Sequence, residues 1–587
     1  MIQQRSLFLL SLIRRPQQSR LLRNGERKAG TGSELLLLFS SNTALGGTKE
    51  KEEEEKDVGG GGYKSIGSFH SAKMSDILDN IVAEKNNGRG NVPFDLPSSI
   101  AEQYKSYDYG SPEFRTTTGS GGNGNTNYFQ LDLTKWTFLN HGAFGATTTY
   151  ALQVANQWRA YAEQQPLLFF DREFMRYYGH NLYSLCSILG VPAHHLHTIT
   201  FVPNATYGLN SVIKSIPIAT NDVIVCFDTT YGSVKTMLQN RCNETKKKDG
   251  HNDENGSNHS NNGNAAIVHQ IDTSHIIMEH NSSIKEQLLD AFQTVVDEYR
   301  REGRRNIALV VLDHVSSNTA LRYPIEDIIS YCRRSNQDNT NEQHIPILVD
   351  GAHGLLNLDL NLDQLQADYY VGNCHKWFAA PKGCGFLYVH PNPKRKRNET
   401  DSTNKNINTD TTAIPILNHI NPPIISHGYT GDFTERFVWD GLRDVSSYLT
   451  ISECIHEWNI LTDGNMNKLR SYNHELVYDG ANLLADMFNT SVLYDNNNDT
   501  DNTDRALITS MAMVRLPSSS SSSKSNKHTA ATSAIAKQIQ DTLHYDYCIE
   551  VPVKVIHGKL YVRISAHIYN NIHDYESLGH AVLRCEL

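Results

Sequence analysis

The sequence predicts an α/β fold, a three-layer domain whose mainly parallel sheet is buried on both faces. Three observations predict it. Short apolar runs without polar alternation, "DVIVCFD" (222–228), "IALVVLDHV" (307–315) and "IPILVDGAH" (345–353), suit strands covered on both sides. Helical patterns over 282–301 and 325–335 lie between them. The chain of 587 residues is also too long for one compact core, so more than one domain is expected.

In chain order, the first thirty residues carry seven basic residues (Arg5, Arg14, Arg15, Arg20, Arg23, Arg27, Lys28) against one acid, Glu26. Arginine-rich and acid-poor, with a short apolar run at Leu7–Ile13, this matches an organelle presequence, mitochondrial for preference. A cytoplasmic protein with a dispensable tail, starting at Met74, is the alternative. Residues 49–65, "KEKEEEEKDVGGGGYKS", read as a flexible linker, so residues 1–73 form a presequence and linker. Residues 74–130 form an N-terminal arm. "HTITFVP" (197–203) reads as the first strand; "DYYVGN" (368–373) and "GFLYVH" (385–390) as the last two of the large sheet. Four polar stretches, 243–264, 392–412, 495–504 and 517–533, lack the apolar residues to bury themselves and read as disordered surface inserts.

Bulk properties exclude several functions. A net charge of -10 argues against broad nucleic-acid binding. No apolar run of membrane-spanning length occurs. Nine scattered cysteines without a CxxC pair fit free thiols in a reducing compartment and give no zinc spacing, so no metal is expected.

Ligands of such sheets sit at the carboxyl ends of the strands. After the first strand, "NATYGLN" places Asn204, Ala205 and Thr206 where a loop turns into a helix, an anion cradle or an ordinary cap. Tyr231, in "TTYGS", ends the second strand, as a ring stacker or a core residue. "VDGAHG" places Asp350 and His353 after another strand. A buried aspartate needs a partner, and a pyridinium nitrogen is one, though a cap or ion pair serves too. "VGNCHKWFAAPKG" (371–383) places Lys376 among apolar residues. Desolvation there makes a lysine nucleophilic; the plainer reading is a lysine that snorkels to water. A phosphate cradle, a stacker, a carboxylate and a lysine, each at a strand end and in this order, point to pyridoxal 5'-phosphate.

"FLNHGAFGA" (138–146), "PNATYGLN", "DHVSSNTALRYPIEDI" (313–328), "VDGAHG", "GNCHKWFAAPKG" and "YVRISAHIYNN" (561–571) resemble the class V aminotransferase superfamily of pyridoxal-phosphate enzymes. The nearest branch is the isopenicillin N epimerase-like group, which includes the C–S lyases of ergothioneine synthesis. The resemblance runs from about Leu131 to the C-terminus. It implies fold type I, with a large cofactor-binding domain (131–425) and a small C-terminal α+β domain (426–587). It implies that Lys376 is the Schiff-base lysine, Asp350 the partner of the ring nitrogen, and His353 a neighbour of the ring and its hydroxyl. His375, Ala205 and Thr206 would hold phosphate, and Tyr231 would stack on the ring. Arg563, whose fork suits a carboxylate, would bind the substrate with Asn140. Leu442, in "WDGLRD", replaces the threonine with which relatives reach the partner subunit's phosphate, so that contact is expected to be missing. A homodimer is still expected.

A small amino acid is the expected substrate. The resemblance favours a C–S lyase acting on a cysteine-derived compound, with an epimerase or aminotransferase as the alternative. A persulfide-forming desulfurase is disfavoured because no cysteine lies in a Gly/Ser-rich loop; Cys374 is expected to be buried. An inactive relative that only binds partners is the reading of another class. The joint presence of Lys376, Asp350 and Arg563 speaks against it.

Overall fold

Seven strands of the large sheet run through a computed structural model that describes residues 73–84, 92–116, 127–248, 265–278, 283–338, 344–391, 416–493, 505–517 and 532–585. The strands are β1 (Ile199–Val202), β2 (Asp222–Phe227), β3 (Ile267–Ile271), β4 (Asn306–Asp313), β5 (Ile347–Gly351), β6 (Tyr369–Asn373) and β7 (Gly385–Val389). Their order is β1-β7-β6-β5-β4-β2-β3, and only β7 runs against its neighbours. The sheet is the mainly parallel one expected, and every residue of β2, β5, β6 and β7 is buried. The reversal at β7 follows from chain length. A parallel return needs a crossover of a dozen or more residues, usually helical, and 374–384 is too short for one. That short loop carries Lys376 at the carboxyl end of β6.

Helix Ile284–Glu302 buries Ile284, Leu288, Phe292 and Val296, one face at four-residue spacing. Ser283 caps its start, and Gly303 ends it at φ 62°. Helix Gly232–Lys248 extends six residues into the stretch read as a loop from residue 243. Thr245 explains the difference: it is buried, and its hydroxyl accepts the Ala266 N–H at 3.1 Å, tying this polar turn to the start of β3. The inserts at 249–264, 392–412, 495–504 and 518–531, and the presequence and linker up to residue 72, lie outside the described residues.

A second sheet is antiparallel, ordered β9-β10-β8, with β8 (Met511–Arg515), β9 (Val553–Ile556) and β10 (Lys559–Ser565). His557 and Gly558, both at positive φ, make the two-residue turn between β9 and β10. One face of this sheet, with Ala512, Val514, Val562 and Ile564, packs on helices Asn467–Phe488 and Ile572–Arg584. The other face, with Met511, Met513 and Tyr561, joins the core of the large sheet.

We propose the division of the chain at 131–425 and 426–587, supported by the separate core beneath the second sheet. Tyr448, Cys454 and Trp458 pack with the large sheet instead, so the C-terminal segment straddles both cores. The arm is tied at its far end too: Gly110 donates to the Ile568 carbonyl at 2.8 Å, and Arg115 pairs with Asp574 at 2.9 Å.

Candidate active site

Lys376 is the centre of the site. Burial is the main cause that lowers its pKa, to about 8; the Asp350 carboxylate opposes this and the Arg563 cation adds to it. The neighbouring hydrogen bonds favour the neutral amine in the same direction. Trp377 Nε1, which can only donate, gives its hydrogen to His353 Nδ1 at 3.3 Å. Burial, reinforced by Lys376 and Arg563, keeps His353 neutral. Its one proton therefore sits on Nε2, 3.2 Å from Lys376 Nζ. Nε2–H donates to the lysine, which must offer a lone pair. The geometry selects the neutral amine.

The backbone of Lys376 is held as firmly. His141, deeply buried and neutral, donates from Nε2 to the Lys376 carbonyl at 3.1 Å and accepts the Tyr569 hydroxyl at Nδ1, 2.8 Å away. Its ring stacks on His567 at 4.1 Å. His567 donates to the Trp377 carbonyl at 3.1 Å. Gly145, at φ +67°, lets this turn reach the lysine: a Cβ there would lie 2.0 Å from the His375 carbonyl oxygen and 2.8 Å from Lys376 Cα.

Asp350, next to last in β5, is register partner to Asp313 at the end of β4. Both are buried. Burial raises the Asp313 carboxyl to about 8, the charge of Asp350 adding to it. Burial also raises Asp350, against the Ala352 N–H that donates to its Oδ1 at 3.0 Å and against Lys376. Two adjacent buried carboxyls share one proton near neutrality. Above about pH 8, where Lys376 is neutral, the remaining negative charge loses that counter-ion, and a protonated ring nitrogen would supply one.

Arg563 is buried, and among the described residues no carboxylate lies within ion-pair distance of it. Its fork is aimed by neutral groups. Nη1 donates to the Ser317 carbonyl at 2.6 Å, and Nη2 donates to Asn140 Oδ1 at 3.0 Å. Asn140 is braced in turn, donating to Glu550 at 3.2 Å. Burial lowers the guanidinium to about 10, and the cation still holds its proton at neutral pH. A buried fork without an acid is built for an incoming anion.

Helix Ala205–Ser215 starts beside β6, capped by Asn204, which accepts the Tyr207 N–H at 3.0 Å. The Ala205 N–H, offered to phosphate in the sequence reading, donates to Asn373 Oδ1 at 2.9 Å instead. Thr206 has an exposed side chain at the same helix start. His375 donates from Nδ1 to the Cys384 carbonyl at 3.0 Å, and burial lowers it to about 4. Its Nε2 is then a lone pair, which becomes a donor only when a nearby anion recruits a proton. Tyr231 is 44% exposed, so it is no core residue; it lies close enough to Arg563 to stabilise that cation.

The structure thus gathers Lys376, His353, Asp350, Arg563, Asn140 and Tyr231, with Thr206 and His375 nearby on adjoining elements. The donor set fits pyridoxal phosphate: a buried carboxylate, a buried lysine whose pKa is lowered to about 8, and a helix start. Sequence reasoning missed Asp313, His141, Trp377, Ser317 and Glu550. Asp313 had the same signal as Asp350, an acid closing an apolar run. A cavity of about 370 Å³ lined by His269, Ile271, Asp272 and His275 lies at the β3 edge and includes none of the site residues.

Comparisons with known proteins bear on the fold and the cofactor. The model of the family "Aminotransferase class-V" matches residues 279–412, which contain Asp350, His353 and Lys376. The chain is similar to a putative L-cysteine desulfhydrase 1 of Oryza sativa subsp. japonica, 25% identical over 311 residues, 50% of this chain and 55% of that protein. It is also similar to a probable chloroplastic L-cysteine desulfhydrase of Arabidopsis thaliana, 23% identical over 459 residues, 76% of this chain and 82% of the relative. Among solved structures, the cystine C–S lyase C-DES, in complex with its product cysteine persulfide, aligns with a TM-score of 0.53 at 18% identity, covering 77% of this chain and 98% of that one. By its fold and the matched segment, the chain is similar to the class-V aminotransferase family of pyridoxal-phosphate-dependent enzymes.

Proposed function

We propose that the chain is a C–S lyase acting on a cysteine-derived amino acid. The observation that carries this reading within the family is the placement of its thiols. Seven of the nine cysteines are buried, Cys374 among them. The other two, Cys548 and Cys585, follow helices Ser533–Tyr547 and Ile572–Arg584 in the C-terminal segment. None is an exposed nucleophile poised to take up sulfur, which disfavours a desulfurase that passes through an enzyme persulfide.

Asp350 would hold the ring nitrogen, His353 the ring hydroxyl side, and Thr206 and His375 the phosphate. When bound, pyridoxal phosphate supplies an electron sink that stabilises negative charge at the α-carbon and so weakens the bond from the β-carbon to sulfur. The protein supplies the rest. Arg563, aimed by Asn140 and Ser317, binds the α-carboxylate and fixes which face of the α-carbon meets Lys376. Lys376 Nζ, kept as a free base by His353 and Trp377, takes the α-proton. Tyr231 covers the open side.

The test is product analysis with L-cysteine and its S-conjugates. The lyase reading expects pyruvate and a sulfur product, a visible absorbance band in the wild type, and loss of both in Lys376→Ala. A D-amino acid as sole product would mean an epimerase. A protein that stays colourless with added cofactor would be a binding protein.

Two further readings belong here. We propose a homodimer, supported by large apolar side chains left in solvent, Phe144 at 77%, Leu442 at 75% and Ile425 at 68% exposed; light scattering of the purified chain decides it. Leu442 in this set fits an apolar contact where relatives place a threonine. No helix among the described residues is long and apolar enough to cross a membrane. We propose mitochondrial import through the N-terminal arginines, with a cytoplasmic form as the alternative. Imaging C-terminally tagged chains started at Met1 and at Met74 separates the two.

A further inference from the structure

The face of the second sheet that looks into the site has an unusual composition. Strand periodicity puts Lys559, Tyr561, Arg563 and Ser565 of β10 on one face. Register adds Lys554 and Ile556 from β9, and Met511, Met513 and Arg515 from β8. Contacts settle which face this is. Ser565 Oγ accepts the His141 N–H at 2.9 Å, and Arg563 reaches Asn140 and Ser317. The alternate residues, Val514, Val562 and Ile564, belong to the core behind the sheet. So Arg515, Lys554, Lys559 and Arg563 share the site-facing side, and none of the three strands contains an acid.

Lys554 is the cation placed to act with Arg563. It opposes Tyr561 in the ladder and is therefore a diagonal neighbour of Arg563, at a spacing of about 7–8 Å. Its side chain is only partly exposed, and no carboxylate among the described residues lies within ion-pair distance of it. Burial and the Arg563 charge both disfavour its ammonium, so holding it there costs stability that an incoming anion returns. Arg563 already accounts for one carboxylate. Lys554, with Arg515 across Tyr561, accounts for another.

We propose that the preferred substrate carries a second carboxylate at the far end of its side chain, and that Lys554 binds it. This rests on the reading that Arg563 takes the α-carboxylate. The substrate class is then a carboxylate-terminated S-conjugate of cysteine, and free cysteine fills only half of the charged site. Reach decides the length: the side chain must span from the α-carbon to a residue one strand over.

Calorimetric titration of the holoenzyme with glutarate and with butyrate tests this without any turnover. Glutarate is expected to bind at least tenfold more tightly than butyrate. Lys554→Met should remove most of that difference while leaving butyrate within twofold. Equal binding of the two acids to the wild type, or equal weakening of both in Lys554→Met, overturns the proposal. Arg563→Gln serves as the control. If it weakens neither ligand, the assignment of Arg563 fails; if it weakens both but Lys554→Met does nothing, only the second-carboxylate inference fails. A kinetic arm compares S-carboxymethyl-L-cysteine with L-cysteine. Lys554→Met should lower kcat/KM for the conjugate about tenfold and leave cysteine within twofold. Retention of the cofactor absorbance band shows that each variant is folded.

Discussion

At the scale of single residues, the site turns on which nitrogen holds which proton. The Trp377 N–H forces the His353 proton onto Nε2, and that proton takes up the lone pair with which Lys376 would hold a third hydrogen. The lysine is therefore a base near neutrality rather than above pH 10. Cofactor uptake by the apoenzyme should then rise with pH and reach half its maximum at about 8, where the amine loses its proton. Stopped-flow absorbance across pH 6 to 10 measures it; a half-rise near the ordinary lysine value of about 10.4 would refute the argument. Trp377→Phe removes the donor and frees the tautomer, and the half-rise should move upward by up to about one pH unit. Lys376 and Asp350 were legible in the sequence because each is a charged residue set in an apolar run. Asp313 was legible on the same ground and was passed over. His141 was not legible, since its partners Lys376 and Tyr569 are distant in sequence and nothing local marks it.

At the scale of elements, short turns place the chemistry. Gly145 is the clearest case, because its positive φ and the nearby His375 carbonyl both exclude a side chain. Gly145→Ala should cost about 1–3 kcal/mol of stability and weaken cofactor retention, as the turn is pushed off the Lys376 backbone. Denaturant melts with and without added cofactor would show it; a fully stable variant with native retention would contradict the packing. Strands β2, β4, β5, β6 and β7 could be read directly because burial on both faces leaves an uninterrupted apolar run. β3 escaped notice as an edge strand whose His269 and Gln270 break that run, and which follows a polar insert. The insert boundary at 243 was misplaced because one buried threonine carries a whole helical turn into polar sequence.

At the scale of the whole molecule, the C-terminal segment is held to the large sheet partly by buried polar contacts. Glu457 is almost wholly enclosed and accepts the Thr148 hydroxyl at 2.7 Å. Burial raises its pKa from 4.5 to about 8, with the charge of Glu453 adding to the effect. The folded state thus holds a proton that the unfolded chain releases. Its contribution to stability is complete below about pH 4.5 and is lost as pH rises towards 8. The slope from this group is at most about 1.4 kcal/mol per pH unit. Glu457→Gln, which keeps the neutral shape, should flatten the decline between pH 5 and 8 in urea titrations. An unchanged slope would mean that Glu457 is ionised in the folded protein.

The antiparallel strand β7 also has a consequence for how the enzyme comes into being. Its partner β1 is made early and β7 late, with β2 to β6 between them in the chain, yet the two lie side by side. The sheet cannot close during synthesis until β7 has left the ribosome, and such non-local pairing is slow. The lysine loop is the last segment before closure. A nascent chain therefore exposes β1 and β6 as open edges, and has no finished pocket to which the cofactor could bind and shield them. Assembly of this protein is thus expected to be vulnerable to aggregation before it can be rescued by its ligand.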